Sequence, residues 1–520
     1  MQGEAVSRSG ARDLDPRTPV VVGVGQAAER IDDPYYRGMS AVDLAAAASR
    51  AALEDCGADP DGVAAAIDTV AGVRQFEISG PHARAPLGRS NNYPRSVAQR
   101  IAADPARAIL ETVGGQGPQH LINELAADIV AGRADVVLIF GSDATSTTRY
   151  FATRDNPPDF TETVDGQLED RGHGLEEFID PYTVIHGLVD APTQYGLLEN
   201  ARRASTGLGP AEYLRTMGEL FAPFTTVAAG NPFAASPVER SVEELITITD
   251  SNRMIAEPYP RLLVARDQVN QGAAALLMSR EAARRLGVPV ENWVYLHGHA
   301  DLREQSLLDR PDLGHAPSAV MAVREALAVA GIGVDDIATF DLYSCFPVAV
   351  FNICDGMGIA PDDPRGLTLT GGLPFFGGAG NNYSMHAVAE TVIRMRSAPG
   401  QFGLVGANGG IMSKYSVGVY STTPVEWKPD RSAELQKQID AGPTAPLSKR
   451  ADGLATIETY TVRRDAGRLT GIIVGRRDAD ASRFLASTED AELIALLTDG
   501  DPLGHPVSVR AFDYGNRCFL

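Results

Sequence analysis

The residues able to do chemistry fall in three short stretches. In "LYSCFPV" (342–348), Cys345 ends an apolar strand pattern and opens a helix pattern. A helix N-terminus there would favour a thiolate, while a lone cysteine in apolar surroundings equally serves as a small core residue. Tyr343, two residues earlier, can pass a proton or pack as an aromatic at a strand end. In "FFGGAGNNYSMH" (375–386), Asn381 and Asn382 follow a glycine turn and could hold a water or an acyl oxygen. His386 opens the next helix, as a base facing a site or as a core or surface histidine. In "VGGQGPQH" (113–120), Gln116 can hydrogen-bond a ligand, and His120 reads as helical packing. Gly114, Gly115, Gly117, Gly377, Gly378 and Gly380 supply tight turns and close backbone approach. The first of these turns has the shape of a reaction site but holds no Cys, Ser or Lys.

The elements that must position these residues alternate strand and helix. "PVVVGVG" (19–25), "IDTVAGV" (67–73), "AILETV" (108–113) and "DVVLIFG" (135–141) read as strands. "SAVDLAAAASRAALEDCG" (40–57) reads as a helix with Ser40 as N-cap and Gly57 as stop, and a second helix covers 117–131. Such alternation implies a mostly parallel sheet covered on both faces. From about 145 to 253 the pattern breaks up, which suggests an inserted loop domain rather than one structureless loop. Sheet patterns return in "QGAAALLMS" (271–279) and "NWVYLHGHA" (292–300). Residues 369–410 repeat the turn–helix–strand–glycine order. Aligned on Gly141 and Gly406, the two helix–strand segments match without gaps, the mark of an internal duplication.

The last ninety or so residues differ in kind. A polar, proline-punctuated linker or short helix (426–453) leads to the β-type runs "ATIETYTVRR", "LTGIIVGRR", "SRFLAST" and "HPVSVRAFDYG". With a short helix in "TEDAELIALLTDGDP", these suit a five-stranded OB-like β-barrel.

Composition narrows the function classes. The chain has 520 residues, is 44% hydrophobic and carries a formal charge of −21, which disfavours a broad nucleic-acid or anionic-membrane footprint. No run of eighteen apolar residues suggests a membrane span. The polar start argues against a secretory signal, and residues 1–17 read as a flexible tail. Four cysteines without a CxxC fit a reducing, cytoplasmic setting, with Cys56, Cys354 and Cys518 structural.

Four stretches occur in an order that resembles the thiolase superfamily: "GGQGPQHLINELAADIVAGRADVVLIFGSDA", "SNRMIAEPYPRLLVARDQVNQGAAALLMSREAARRLG", "FDLYSCFPVAVFNICDGMGI" and "TGGLPFFGGAGNNYSMHAVAE". The resemblance spans about 18–425 and implies an α/β fold of two duplicated halves with layered mixed sheets. The implied N-terminal half is 18–144 with 254–285, the inserted loop domain 145–253, and the C-terminal half 286–425. The linker and barrel, 426–520, lie outside it. Thiolases use a cysteine nucleophile at a buried helix, a Gly-His-Pro histidine and a second cysteine. Carried over, these positions fall on Gly114, Gly378 and Ala407, while a cysteine of the "HDCFS" type survives as Cys345 and its histidine becomes Tyr343. Losing nucleophile and base together costs about 10⁶-fold in a well-studied protease, so ordinary thiolase turnover is not expected.

The resemblance therefore implies a thiolase-like protein of lipid metabolism, acetyl-CoA acetyltransferase-like by fold, acting on or binding acyl-CoA thioesters. Catalytic candidates are Cys345, His386 and Tyr343. Candidates for CoA or acyl contact are Gly114, Gln116, Gly378, Asn381, Asn382 and Gly409. A CoA thioester is the expected ligand, with no tightly bound cofactor and no metal. One alternative is a retro-aldolase acting on β-hydroxyacyl-CoA, which needs a base and an oxyanion site but no acyl-enzyme. Another is a non-catalytic CoA-ester binder or scaffold. A homodimer is the family default, and a monomer stays open because the barrel could cover that interface.

Overall fold

The computed structural model describes residues 14–175, 180–465 and 467–520. Most of the expected tail, residues 1–13, lies outside the described residues. Residues 14–17 are tied down, with Arg280 Nη1 donating to Leu14 O at 2.7 Å.

The strands in chain order are β1 (Pro19–Ala28), β2 (Thr69–Gly72), β3 (Arg107–Leu110), β4 (Val136–Asp143), β5 (Glu169–Asp170), β6 (Met254–Ala256), β7 (Tyr259–Pro260), β8 (Gln271–Ser279), β9 (Val294–Arg303), β10 (Ile337–Leu342), β11 (Phe402–Gly409), β12 (Lys414–Ser421), β13 (Gly453–Asp465), β14 (Arg468–Arg477), β15 (Arg483–Thr488), β16 (Pro506–Phe512) and β17 (Gly515–Phe519). The helices used below are α1 (Ala41–Asp55), α2 (Tyr93–Arg100), α3 (Gly117–Val130), α4 (Ala191–Thr206), α5 (Pro210–Gly230), α6 (Pro317–Ala330), α7 (Pro347–Met357), α8 (Tyr383–Ser397), α9 (Ser432–Asp440) and α10 (Ala491–Asp499).

The fold is a mixed α/β fold built on one large sheet of order β10-β11-β12-β9-β1-β8-β4-β2-β3-β5. Its halves are copies. In the first, β1 pairs antiparallel with β8, β8 antiparallel with β4, and β4 parallel with β2. In the second, β9, β12, β11 and β10 repeat the same senses. The halves join through a short antiparallel β1–β9 pairing at Val20–Tyr295 and Val21–Val294. The duplication reaches single residues. A Cβ on Gly23 of β1 would lie 2.1 Å from Ala52 O of α1, and one on Gly298 of β9 would lie 1.9 Å from Ala326 O of α6. Each opening helix thus rests directly on its strand's backbone, which only glycine allows.

The apolar pattern sets the layers. Leu121, Ile122, Leu125 and Ile129 of α3 and Val388, Val392 and Met395 of α8 form one core with inward residues of both half-sheets, such as Val21, Val137, Val294 and Val405. Helices α1 and α2 cover the other face of the first half, and α6 and α7 that of the second. The Ser40 hydroxyl caps α1 by accepting from Asp43 N–H at 3.1 Å.

The insertion is more regular than its sequence. It holds two long helices, α4 and α5, the second continuous past Pro223. Asp190 caps α4 by accepting from Thr193 N–H at 3.0 Å. Glycine and proline in both helices hide the apolar period, and tertiary packing of Tyr195, Leu198, Met217, Phe221 and Phe224 overrides propensity.

The C-terminal strands close into a five-stranded barrel, β13-β14-β15-β17-β16 and back to β13, with α10 between the third and fourth strands. The run "HPVSVRAFDYG" is β16 and the turn of the β16–β17 hairpin, Asp513–Tyr514, closed by Gly515 with φ +104°. The barrel is locked to the body. Arg483, fully buried, donates to Leu308 O at 2.9 Å and Pro311 O at 3.3 Å while pairing with Glu458 at 2.6 Å.

Candidate functional site

The turns before α3 and α8 meet at the centre of the molecule. Gly114 has φ +149° and its N–H donates to Asn381 Oδ1 at 3.0 Å. Asn381 donates in turn to Arg74 O at 2.7 Å and Ser79 Oγ at 3.0 Å, and the Ser384 hydroxyl donates to Gly115 O at 2.6 Å. Each half's helix head is therefore held by a side chain of the other half.

The space above this turn is filled. A Cβ on Gly114 would lie 2.1 Å from Gln116 Oε1, and one on Gly409 would lie 1.8 Å from the same oxygen. A Cβ on Gly115 would lie 2.1 Å from the Tyr343 hydroxyl and 2.7 Å from Asn408 O. The Gln116 amide and the Tyr343 phenol thus take the room a nucleophilic side chain at Gly114 or Gly115 would need. Gln116 is 6% exposed and its Oε1 has no hydrogen-bond partner.

Cys345 sits beside this turn, just ahead of α7. Asn408 Nδ2 points at its sulfur from 3.7 Å and also donates to the Tyr195 hydroxyl at 2.8 Å. Burial pushes the Cys345 thiol up to about 12 despite the adjacent helix start, so it stays protonated at neutral pH. Burial likewise pushes the Tyr343 phenol upward, and the neighbouring Cys345 adds to it. His386 lies apart from both. It is fully buried, its Nδ1 is 2.7 Å from Gln26 Oε1 of β1, and its ring packs edge-on against Phe376 at 5.0 Å. Desolvation lowers its pKa to about 3, so it is neutral. Among the described residues no histidine nitrogen bonds a cysteine sulfur.

Gly378 donates its N–H to Arg266 O at 2.7 Å, and Asn382 Nδ2 reaches Ala273 O at 3.4 Å with its Oδ1 unpaired. The structure thus brings Gly114, Gln116, Tyr343, Cys345, Asn381 and Gly409 together, while His386, Gly378 and Asn382 serve neighbouring contacts.

A cleft of about 480 Å³ opens beside Gln116, lined also by His120, Asp301, Arg303, Lys414 and α9. His120 is an ion-pair residue rather than helical packing: its Nδ1 is 3.1 Å from Asp301 Oδ1 and its Nε2 3.6 Å from Glu124. Burial opposes the charge, but Asp301, Glu111 and Glu124 prevail and raise its pKa to about 9. Asp301 was invisible as a partner because it lies 181 residues away. Glu111, His120 and Glu124 have metal-ligand spacing, but the Arg171 guanidinium bonds both carboxylates, at 2.7 and 2.6 Å.

Comparison with known proteins fits this geometry. The fold matches a dimeric peroxisomal thiolase of Saccharomyces cerevisiae at TM-score 0.55 and 14% identity, covering 79% of this chain and 99% of that one. It matches an Ltp2-ChsH2(DUF35) aldolase at TM-score 0.55 and 18% identity, covering 78% and 98%. Two helix heads meeting under layered, duplicated half-sheets define the class: a thiolase-fold protein. A solved monomeric SCP2-thiolase-like protein type 1 from Mycobacterium smegmatis is 58% identical, with 98% of this chain and 100% of that chain covered at TM-score 0.85. The chain belongs to the SCP2-thiolase-like protein type 1 family. Residues 434–513 match the thiolase-like protein type 1 additional C-terminal domain. No curated protein matches the sequence.

Proposed function

We propose that the chain binds acyl-CoA thioesters in a thiolase fold without forming an acyl-enzyme. The observation that carries this reading is Gln116 Oε1 lying where a side chain at Gly114 would project. Acyl transfer through a cysteine needs a thiolate and a base, and the one nearby thiol, Cys345, is held protonated with no histidine against it. The paired helix heads and their glycine turns remain as a polar backbone surface for a thioester carbonyl. The CoA ester acts here as a dissociable ligand, with no tightly bound cofactor. Four free, buried cysteines suit a reducing cytoplasm. The monomeric state named for the Mycobacterium smegmatis relative suits this chain too, because β5 closes the β3 edge of the sheet. The barrel's strand order and the placing of α10 suit an OB-like module.

The test is calorimetric titration with CoA, acetyl-CoA and acetoacetyl-CoA, alongside thiolysis assays and intact-protein mass. Saturable binding with no adduct and no thiolysis is expected. An acyl adduct lost in Cys345→Ser would overturn the reading in favour of acyl transfer through that thiol.

A second reading, retro-aldol cleavage of β-hydroxyacyl-CoA, is favoured by the Tyr343 hydroxyl at the head of α3. Held protonated, it would donate to the enolate oxygen while the β-hydroxyl proton passes to solvent water, since His386 faces Gln26. Cleavage abolished by Tyr343→Phe would support it.

A further inference from the structure

A cavity of about 600 Å³ opens where β1 ends, between residues 28–32, residues 233–238 of the insertion and residues 266–271 leading into β8. That volume is within the range of small-molecule sites. None of Gly114, Gln116, Tyr343, Cys345, Asn381 and Gly409 lines it. Its frame is fixed by backbone and amide bonds. Glu29 N–H donates to Asn270 O at 3.0 Å, and the N–H groups of Ala235 and Ser236 donate to Phe376 O at 2.7 Å and Phe375 O at 3.0 Å. Gln271 Nε2 bridges Phe233 O at 2.9 Å and Phe376 O at 2.8 Å. Three segments far apart in the chain are thereby held in one frame.

One side of the lining is cationic. Arg30 and Arg266 are half-buried in it, and among the described residues neither has a carboxylate within salt-bridge distance. Each guanidinium is aimed by one backbone carbonyl: Arg30 Nη1 donates to Ala234 O at 3.1 Å, and Arg266 Nε to Gln268 O at 3.2 Å. A guanidinium has five N–H donors, so each keeps others for a ligand. Burial lowers the Arg266 pKa, and the nearby Arg261 and Arg240 cations add to it against the pull of Asp267 and Asp32. An anion beside Arg266 would relieve both effects. The acids around it are mostly taken. Glu29 pairs with Arg37 at 3.3 Å and accepts from Met39 N–H at 2.9 Å, and Asp267 pairs with Arg149 at 2.5 Å. Asp32 stands exposed on the rim. Two guanidiniums against that one carboxylate leave a single positive charge, which suits a monoanion better than a phosphate dianion.

The other side is apolar and open to water. Ile31 and Val238, 38% and 47% exposed, line the same cavity as Phe233 and Pro237. Large apolar side chains gathered on one concave wall gain by being covered. We propose that this cavity binds a free fatty acid of medium chain length, with its carboxylate on Arg30 and Arg266 and its chain against Ile31, Phe233, Pro237 and Val238. The carboxylate accepts charge-assisted hydrogen bonds from the two guanidiniums. The alkyl chain takes the apolar wall out of water.

The full-length protein is titrated calorimetrically with hexanoate, octanoate and decanoate, with 1-octanol and inorganic phosphate as controls. Octanoate is expected to bind saturably and at least about tenfold more tightly than 1-octanol, and affinity to rise by up to about fourfold per added methylene. Arg30→Gln and Arg266→Gln are each expected to lose about tenfold. Saturating CoA is expected to leave octanoate affinity unchanged, so the result stands apart from the thioester reading. Absence of saturable binding, 1-octanol binding as tightly as octanoate, or affinity that does not rise with chain length would each overturn the proposal. So would full affinity in both arginine variants, or displacement by phosphate or CoA. Should the arginine variants not fold, Val238→Asp on the exposed rim decides. It is expected to weaken decanoate about tenfold, and unchanged affinity counts against the site.

Discussion

The carboxamide oxygen of Gln116 lies over Gly409, closer to where that glycine's Cβ would be than any non-bonded contact permits. Position 409 must be glycine for Gln116 to fold inward, and position 114 must be glycine for it to stay there. The plug and its two glycines form one unit.

Reinstalling the missing nucleophile in this unit is expected to fail. Gly114→Cys would place a Cβ at φ +149° against Gln116 Oε1. Strain of this kind costs about 1–3 kcal/mol. Urea unfolding should show that loss, and thiolysis assays should show no gain.

The thiols should be silent in the folded protein. All four cysteines are free and buried, and burial pushes Cys345, Cys354 and Cys518 each up to about 12. Ellman's reagent at pH 8 is expected to modify almost none natively and all four in guanidinium. Fast native reaction confined to Cys345 would mean that its thiolate is reachable.

Alkaline destabilisation should trace to His120. Its folded pKa is raised, to about 9 from 6.5, by Asp301, Glu111 and Glu124, with Arg171, Lys414 and Arg303 as the nearby cations. A raised histidine stabilises fully below about pH 6.5 and loses that contribution as pH climbs through about 9. Urea unfolding at stepped pH should fall across this window in the native chain and flatten in His120→Gln. The ring is about a third exposed, so salt should shrink the effect.

The sheet edge carries its own guard. β5 is two acidic residues, Glu169 and Asp170, paired beside β3 and tied by Arg107 and Arg74. Short, charged edge strands block edge-to-edge pairing. Light scattering of Glu169→Val with Asp170→Val is expected to show concentration-dependent dimers, where the native chain shows none.

Removing the buried guanidinium at the barrel joint should be costly. Arg483→Ala would leave Glu458 to Arg476 alone and strand the carbonyls of Leu308 and Pro311. Breaking such a buried pair costs about 3–5 kcal/mol. Thermal unfolding and limited proteolysis after Ser432 should report the loss together.

Much of this fold was legible in the sequence because sheet strands buried on both faces are continuous apolar runs, as in β1, β4 and β8. The glycine-to-glycine repeat was readable because backbone approach fixes glycine at Gly23 and Gly298 alike. Helices α4 and α5 were hidden by Gly196, Gly218 and Pro223, which local propensity reads as breaks. The missing nucleophile at Gly114 was plain. That Gln116 would fold back over it was not, since a side chain's direction depends on the vacancy made by Gly409, 293 positions on in the numbering. His120 read as packing because its charge partner, Asp301, comes from the opposite half of the repeat.

One consequence follows from where the barrel's apolar side chains go. Ile472, Val474 and Leu485 point out of the barrel into the core that holds Tyr182, Leu197 and Phe346. A chain cut short ahead of Ser432 would bare that apolar wall to water, so the body is expected to aggregate without its barrel.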